Sequence, residues 1–226
     1  MEADLKKDMY KSHFEEYDPD SEQWVGPLAS YKWRHDPRYI VFMLARYKIS
    51  SKLLRGKSNV IDIGCGDAFG FPILLQEIPH VHGVDLEEAV IADNKRRGVL
   101  PTSATFEVHN MITDGPLDQH YDAALSFDVL SSISRADEEK FMINVCGSLN
   151  DDAMYILGAQ NLNSTQHSYT KSHEDQDNFK DYDEMNAFMS KYFRNVLIFG
   201  MNDETLHTGR EVMTQYFLAV GIAPRR

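Results

Sequence analysis

Residues 59 to 70 read Asn-Val-Ile-Asp-Ile-Gly-Cys-Gly-Asp-Ala-Phe-Gly, an apolar run that passes straight into three closely spaced glycines. Val60, Ile61 and Ile63 suit a strand buried on both faces, and Gly64, Gly66 and Gly70 permit a tight turn with close backbone approach to a ligand. A second apolar stretch, Val81 to Val84, ends at Asp85, 21 residues after Gly64. That separation is the one at which a nucleotide-binding fold places the carboxylate that grips a ribose. The two segments together predict a nucleoside-binding βαβ unit.

Dinucleotides, flavins and S-adenosylmethionine are all held at such turns. Asp62 separates them on electrostatic grounds. A pyrophosphate would meet a carboxylate of like charge, whereas the methionine ammonium of S-adenosylmethionine gains an opposite one. The spacing also departs from the dinucleotide pattern, because three residues rather than two lie between Gly66 and Gly70. Here the chain resembles the class I S-adenosylmethionine-dependent methyltransferases, most clearly from Val60 to Asp85 and more loosely from about Asp36 to Val220. An NAD-dependent dehydrogenase is the alternative that a lone glycine-rich turn leaves open.

The rest of the chain alternates strands and helices. Asp36-Pro37, an N-cap carboxylate followed by proline, predicts a helix to about Leu54 with Ile40, Leu44 and Tyr47 on one stripe. Strands are predicted at Asn59–Ile63, Val81–Asp85, Ala104–His109, Tyr121–Ser126, Ala153–Gly158, Val196–Met201 and Val212–Val220. Helices are predicted within Gly70–Ile78 and over Glu87–Arg97, Ala136–Leu149 and Asp181–Tyr192. The expected fold is α/β, a doubly wound, mostly parallel seven-stranded sheet. Its last strand should be antiparallel, since about ten residues cannot build a helical crossover. Residues 36–226 then form one domain with a substrate-side insertion at about 159–180, and residues 1–35 a cap over the cofactor.

Ligands in open α/β sheets bind at the carboxyl ends of the strands, which places several segments at one edge. Gly64, Cys65, Gly66 and Gly70 should line the methionine and ribose, with Asp62 near the ammonium and Asp85, followed by Leu86, at the ribose hydroxyls. The resemblance implies an acidic contact to the adenine amine after the third strand. Asn110 stands there beside Met111, and its carbonyl can still accept that bond. Phe127 is expected against the adenine or the methionine, and Arg46 at the methionine carboxylate, an anion suited to a guanidinium.

Methyl transfer to a hydroxyl requires alignment and a group to take the proton. His167 and His173 in the insertion, His207 near the end of the chain, and Asp128 are the candidates. Relatives acting on small molecules show Asp-Val-Leu-Glu-His-Ile where this chain has Asp128-Val129-Leu130-Ser131-Ser132-Ile133. The histidine is therefore replaced by Ser132, which leaves a non-catalytic cofactor-binding module as a rival. The resemblance also reaches, through Asp36–Lys48 and Phe199–Gly209, to bacterial enzymes of surface-polysaccharide or sugar modification. It implies O-methylation of a small polar acceptor such as a sugar, a nucleotide sugar or a phosphorylated precursor.

Charge and composition limit the partners. The chain carries a net charge of −12 over 226 residues, so a nucleic-acid backbone is repelled. Lys95-Arg96-Arg97 reads as the last turn of a helix, where cations oppose the dipole. The exocyclic-amine motif, Asn or Asp before two prolines and an aromatic, is missing, because no proline lies between Pro116 and Pro224. Protein and nucleic-acid methyltransferases are thus the weaker enzymatic alternatives. The acidic run His173-Glu174-Asp175-Gln176-Asp177 reads as a solvated loop, and no metal is expected. Two cysteines and the lack of a long apolar stretch point to a cytoplasmic protein without a membrane span.

Overall fold

The computed structural model describes residues 25–98, 100–167 and 178–226, the side chains of 165–167 excepted. Eight strands form one sheet: β1 Asn59–Ile63, β2 His80–Asp85, β3 Ala104–Val108, β4 Tyr121–Phe127, β5 Leu149–Gln160, β6 Phe193–Asn202, β7 Thr205–His207 and β8 Tyr216–Pro224. Their order is β3-β2-β1-β4-β5-β8-β6-β7. The first five are mutually parallel, with Asp62 of β1 opposite Gly83 of β2 and Leu125 of β4. β8 inserts between β5 and β6 and runs antiparallel to both. The expected reversal of the final strand is present.

The strand count is corrected from seven to eight. Residues 205–207, read as loop, fold back on β6 as a short hairpin strand, with Asn202 opposite Thr205. The final strand begins at Tyr216 rather than Val212, because Glu211–Met213 coils into a 3-10 turn.

The helices are α1 Pro27–His35, α2 Pro37–Leu53, α3 Phe71–Leu74, α4 Glu88–Arg97, α5 Glu138–Gly147 and α6 Tyr182–Tyr192. Alternation along the strands sends side chains to two separate cores. Ile61, Ile63 and Ala124 join Phe141 and Met142 of α5 and Met185 and Phe188 of α6. Val60, Ala123 and Leu125 join Tyr47 of α2, Phe71 of α3 and Ile91 of α4 on the opposite face. Both faces are covered, as a doubly wound sheet requires.

Local chemistry fixes the helix ends. Asp181 accepts a bond from the Glu184 backbone N–H at 2.9 Å while the Glu184 carboxylate accepts from the Asp181 N–H at 3.3 Å, a reciprocal cap where the sequence places the start. Arg96 and Arg97 end α4 and pair with Asp93, and Gly98 closes it in the left-handed conformation. Asp36 precedes Pro37 as expected, but its carboxylate makes no capping bond and instead meets Arg38 at 3.4 Å. α3 has only four residues.

The insertion is shorter than its expected span. β5 continues through Gln160, and Asn161 bridges to Lys180. Asn161 is fully buried and donates to the Glu211 and Thr214 carbonyls at 3.0 and 2.8 Å. Lys180 is also buried; its ammonium meets Glu138 at 2.5 Å and the Asn178 amide oxygen at 3.0 Å. The two ends of the insertion are therefore stitched to the sheet.

Candidate active site

The glycine-rich turn is closed by its own backbone. Gly64 and Cys65 donate to the Val84 carbonyl at 2.8 and 3.0 Å, drawing the end of β1 toward β2. Gly64 adopts φ +73°, and a Cβ there would stand 2.4 Å from a Val129 methyl carbon. Both conditions demand glycine. At Gly70 the reason is proximity alone: an added Cβ would lie 2.2 Å from the Tyr47 ring. α2 thereby seats directly on the turn.

Asp85 holds this turn in place. One carboxylate oxygen accepts the Gly66 N–H and the other the Glu87 N–H, each at 3.0 Å. The same group that the sequence assigns to ribose hydroxyls thus also organises the turn, with lone pairs left on each oxygen. Asp85→Ala is expected to weaken cofactor binding by about two orders of magnitude, from the loss of charge-assisted hydrogen bonds. Because two backbone donors are also orphaned, thermal stability should fall with it. Calorimetric titration with S-adenosylhomocysteine, run beside thermal denaturation, checks both.

Asp62 is 1 % exposed and lines neither of the two cavities described below. One oxygen accepts the Tyr47 hydroxyl at 2.9 Å, and the other has no hydrogen-bond partner. Burial raises its carboxyl to about 7, with the Asp85 charge adding to the rise and the Tyr47 bond opposing it. Whereas Asp62 lines neither cavity, Tyr47, its hydrogen-bond partner, and Cys65 of the turn line one of them. Burial likewise pushes both of those groups up.

A cavity of about 210 Å³ lies above the turn, bounded by Gly64, Cys65, Gly66 and Asp67 below, and by Tyr47, Phe127 and Asp128 at the side. Phe127 meets Tyr47 edge to face at 5.0 Å. α1 forms the roof through Leu28, Ala29 and Lys32. The roof is bonded to the floor: Asp67, itself buried, accepts the Ala29 N–H at 2.7 Å and so caps the start of α1. Arg97 in turn donates to the Asp67 carbonyl at 2.7 Å. A glycine-lined floor, an orphaned carboxylate oxygen behind it and Asp85 at the strand end fit the nucleoside donor that the sequence implies.

A second cavity, about 300 Å³, adjoins the first, and the two share Lys32, Tyr39, Arg46 and Asp128. Its other walls include Asp36, Phe42, Ser131, Gln160, Phe179, Asp203, Gln215 and Tyr216. At the seam, Arg46 donates to the Asp128 carboxylate at 2.7 Å and stacks 3.6 Å from the centre of the Tyr216 ring. Tyr39 donates to the same carboxylate oxygen at 3.3 Å. Arg46 is 9 % exposed, so its end of the ion pair is desolvated, while the Asp128 side chain is 38 % exposed. The Asp128 charge, followed by burial, moves the Tyr39 phenol up to about 12. Asp128 adopts φ +61°, which non-glycine residues rarely do, and its N–H donates to the Gly158 carbonyl at 3.0 Å. The backbone strain turns its carboxylate toward both cavities.

The remaining candidates are scattered. His207 accepts the Gly209 N–H at 3.0 Å, packs beneath Gly200 and lines neither cavity. His173 and the acidic run 173–177 lie outside the described residues, as does the His167 side chain. Ser132 donates to the Val129 carbonyl and is exposed, whereas Ser131 reaches the second cavity. Leu86 is 70 % exposed beside the β2 end. The Asn110 carbonyl oxygen accepts the Ile112 N–H at 2.8 Å, which leaves its amide N–H groups for a neighbour, and Met111 is buried in the core. Arg46 faces the seam, but Asp128 already engages it. Among the described residues, no group of three or more His, Cys, Asp or Glu is placed to hold a metal, and no helix is long and apolar enough to cross a membrane.

Sequence reasoning missed Tyr39, Tyr216, Asp67 and Lys32. Their roles depend on contacts between distant segments, and none carries a local signature.

Comparison with known proteins agrees with this geometry. Residues 60–152 match the methyltransferase domain family, and no curated protein matches the chain. The fold is shared with the methyltransferase domain of bacterial CtHen1, at 17 % identity and TM-score 0.67, over 81 % of this chain and 100 % of that one. A TehB-like SAM-dependent methyltransferase from Corynebacterium glutamicum shows 16 % identity and TM-score 0.61, over 87 % and 96 %. The plantazolicin methyltransferase BpumL, solved with SAH, shows 16 % and 0.64, over 87 % and 88 %. With a methyltransferase-domain match across the glycine-rich turn and a shared fold across nearly the whole sheet, the chain is similar to the S-adenosylmethionine-dependent methyltransferases and has their fold.

Proposed function

We propose that the enzyme methylates a hydroxyl of a small polar acceptor and that Asp128 takes the hydroxyl proton. The observation that carries this reading is the position of the Asp128 carboxylate at the seam of the two cavities. Both of its side-chain hydrogen bonds, from Arg46 and Tyr39, go to one oxygen. The other oxygen is the acceptor for a substrate proton. Arg46 orients that carboxylate through the 2.7 Å bond.

S-adenosylmethionine, when bound, supplies an electrophilic methyl group on a sulfonium that leaves as a neutral thioether. Asp85 and the turn from Gly64 to Gly66 hold the ribose and methionine, and Phe127 packs beside them. Lys32 is the cation lining the cofactor cavity that is left for the methionine carboxylate, since Arg46 is engaged by Asp128. α1 roofs the cofactor cavity, which supports a cap role for the described end of the 1–35 segment on a catalytic domain of 36–226; residues 1–24 lie outside the described residues.

The second cavity, with Gln160, Gln215 and Ser131 among aromatic walls, suits a sugar or a related polyol better than an apolar acceptor. A precursor of a surface polysaccharide is what the sequence resemblance favours; none of the three solved structures above is named for one. A nucleic-acid acceptor is disfavoured by the net charge of −12. Two free, buried cysteines fit a reducing, cytoplasmic setting.

Labelled S-adenosylmethionine offered with a panel of sugars, sugar phosphates, nucleotide sugars, peptides and RNA tests the reading. Oxygen-linked methyl in a small polar product is the expected result. Label found solely in peptide or RNA defeats it.

A further inference from the structure

The second cavity is unevenly charged. Three carboxylates, Asp36, Asp128 and Asp203, line it against two cations, Lys32 and Arg46. Asp128 and Arg46 neutralise one another at the seam. Lys32 sits 4.2 Å above the Tyr39 ring, shared with the donor side, where an anionic carboxylate is expected. Asp36 and Asp203 remain toward the acceptor. Among the described residues Asp36 has an ion pair only with Arg38, whose side chain is 76 % exposed and 3.4 Å away, a contact worth little in water. Asp203 has no ion pair among the described residues, and it is fixed in the β6–β7 turn at φ +50°.

A phosphate ester entering this space would bring a like charge toward Asp36, only weakly paired, and Asp203, without an ion pair among the described residues, whereas an ammonium would satisfy them. From this imbalance we propose that the acceptor is an aminated hydroxyl compound, an amino sugar or amino alcohol without a phosphate, whose ammonium is met by Asp36 and Asp203 while a hydroxyl faces Asp128. This rests on the methyl-transfer reading above and narrows it. Gln160 and Gln215 supply amide donors and acceptors for the remaining hydroxyls.

The full-length protein, saturated with S-adenosylhomocysteine, is titrated by calorimetry with D-glucosamine, D-glucose and D-glucose 6-phosphate. Glucosamine should bind about tenfold tighter than the phosphate ester, the scale of one partly screened charge contact, with the gap narrowing as salt rises. In Asp36→Asn/Asp203→Asn the gap should shrink to about twofold by the same reasoning. Equal affinities, tighter binding of the phosphate, or no binding of glucosamine overturn the proposal. Product analysis keeps it distinct from the reading beneath it. A phosphorylated sugar methylated on oxygen sinks the charge preference alone, and glucosamine methylated on nitrogen sinks the hydroxyl reading alone.

Discussion

Replacing Asp128 by asparagine is expected to slow methyl transfer at least about 100-fold while leaving cofactor affinity within about twofold, as removal of a positioned proton acceptor does. The substitution is chosen for what it preserves. Asparagine tolerates the left-handed backbone that Asp128 adopts at φ +61°. Its amide oxygen can still accept from Arg46 and Tyr39, which donate at 2.7 and 3.3 Å in the parent. Alanine would instead leave the buried Arg46 charge without a partner, at a cost of about 3 to 5 kcal/mol, and would confuse folding with catalysis. Single-turnover rates with an active acceptor, beside calorimetry with S-adenosylhomocysteine, separate the two effects. Transfer by Asp128→Asn at the parent rate would remove Asp128 from the chemistry.

Asp62→Asn should stabilise the ligand-free protein in alkaline solution and weaken its hold on the donor. The carboxyl sits at about 7 when folded, against 3.8 for an unperturbed aspartate. Between those values the folded state binds more protons, so stability is full below about pH 4 and is lost as the pH rises through 7. The gap of roughly three units sets an upper bound of about 4 kcal/mol on that loss. Asparagine keeps the Tyr47 bond and removes the charge. A rise in Tm of roughly 10 °C at pH 8, absent at pH 4, is the expected result. A cationic donor favours the ionised carboxylate even through Tyr47 and Cys65. Its binding should therefore release a fraction of a proton near pH 7, weaken below that pH, and fall about tenfold in the variant. Titrations in buffers of different ionisation enthalpy measure the proton directly; no buffer dependence in the parent would dismiss the coupling.

What could be read from the sequence was whatever is encoded locally. The strand-to-turn segment 59–70 combines apolar residues and glycines whose demands are met within a few positions, and the reciprocal cap at Asp181 and Glu184 is likewise self-contained. The helix after the turn has only four residues, with Pro72 in its first turn. The strand Thr205–His207 escaped notice because three residues carry no periodicity. Arg46 is offered by the sequence to the methionine carboxylate, and only the fold brings Asp128, 82 positions away, to its side. The reverse happened with His207. A histidine near the correct strand end looks catalytic in one dimension, yet the hairpin turns it beneath Gly200.

One bond ties access to architecture. Since the first turn of α1 is anchored on Asp67, a carboxylate belonging to the cofactor turn itself, lifting that helix to admit a ligand strips a buried anion of its donor. The position of the roof and the integrity of the floor are accordingly coupled through one bond, whose loss is costly because the anion is buried.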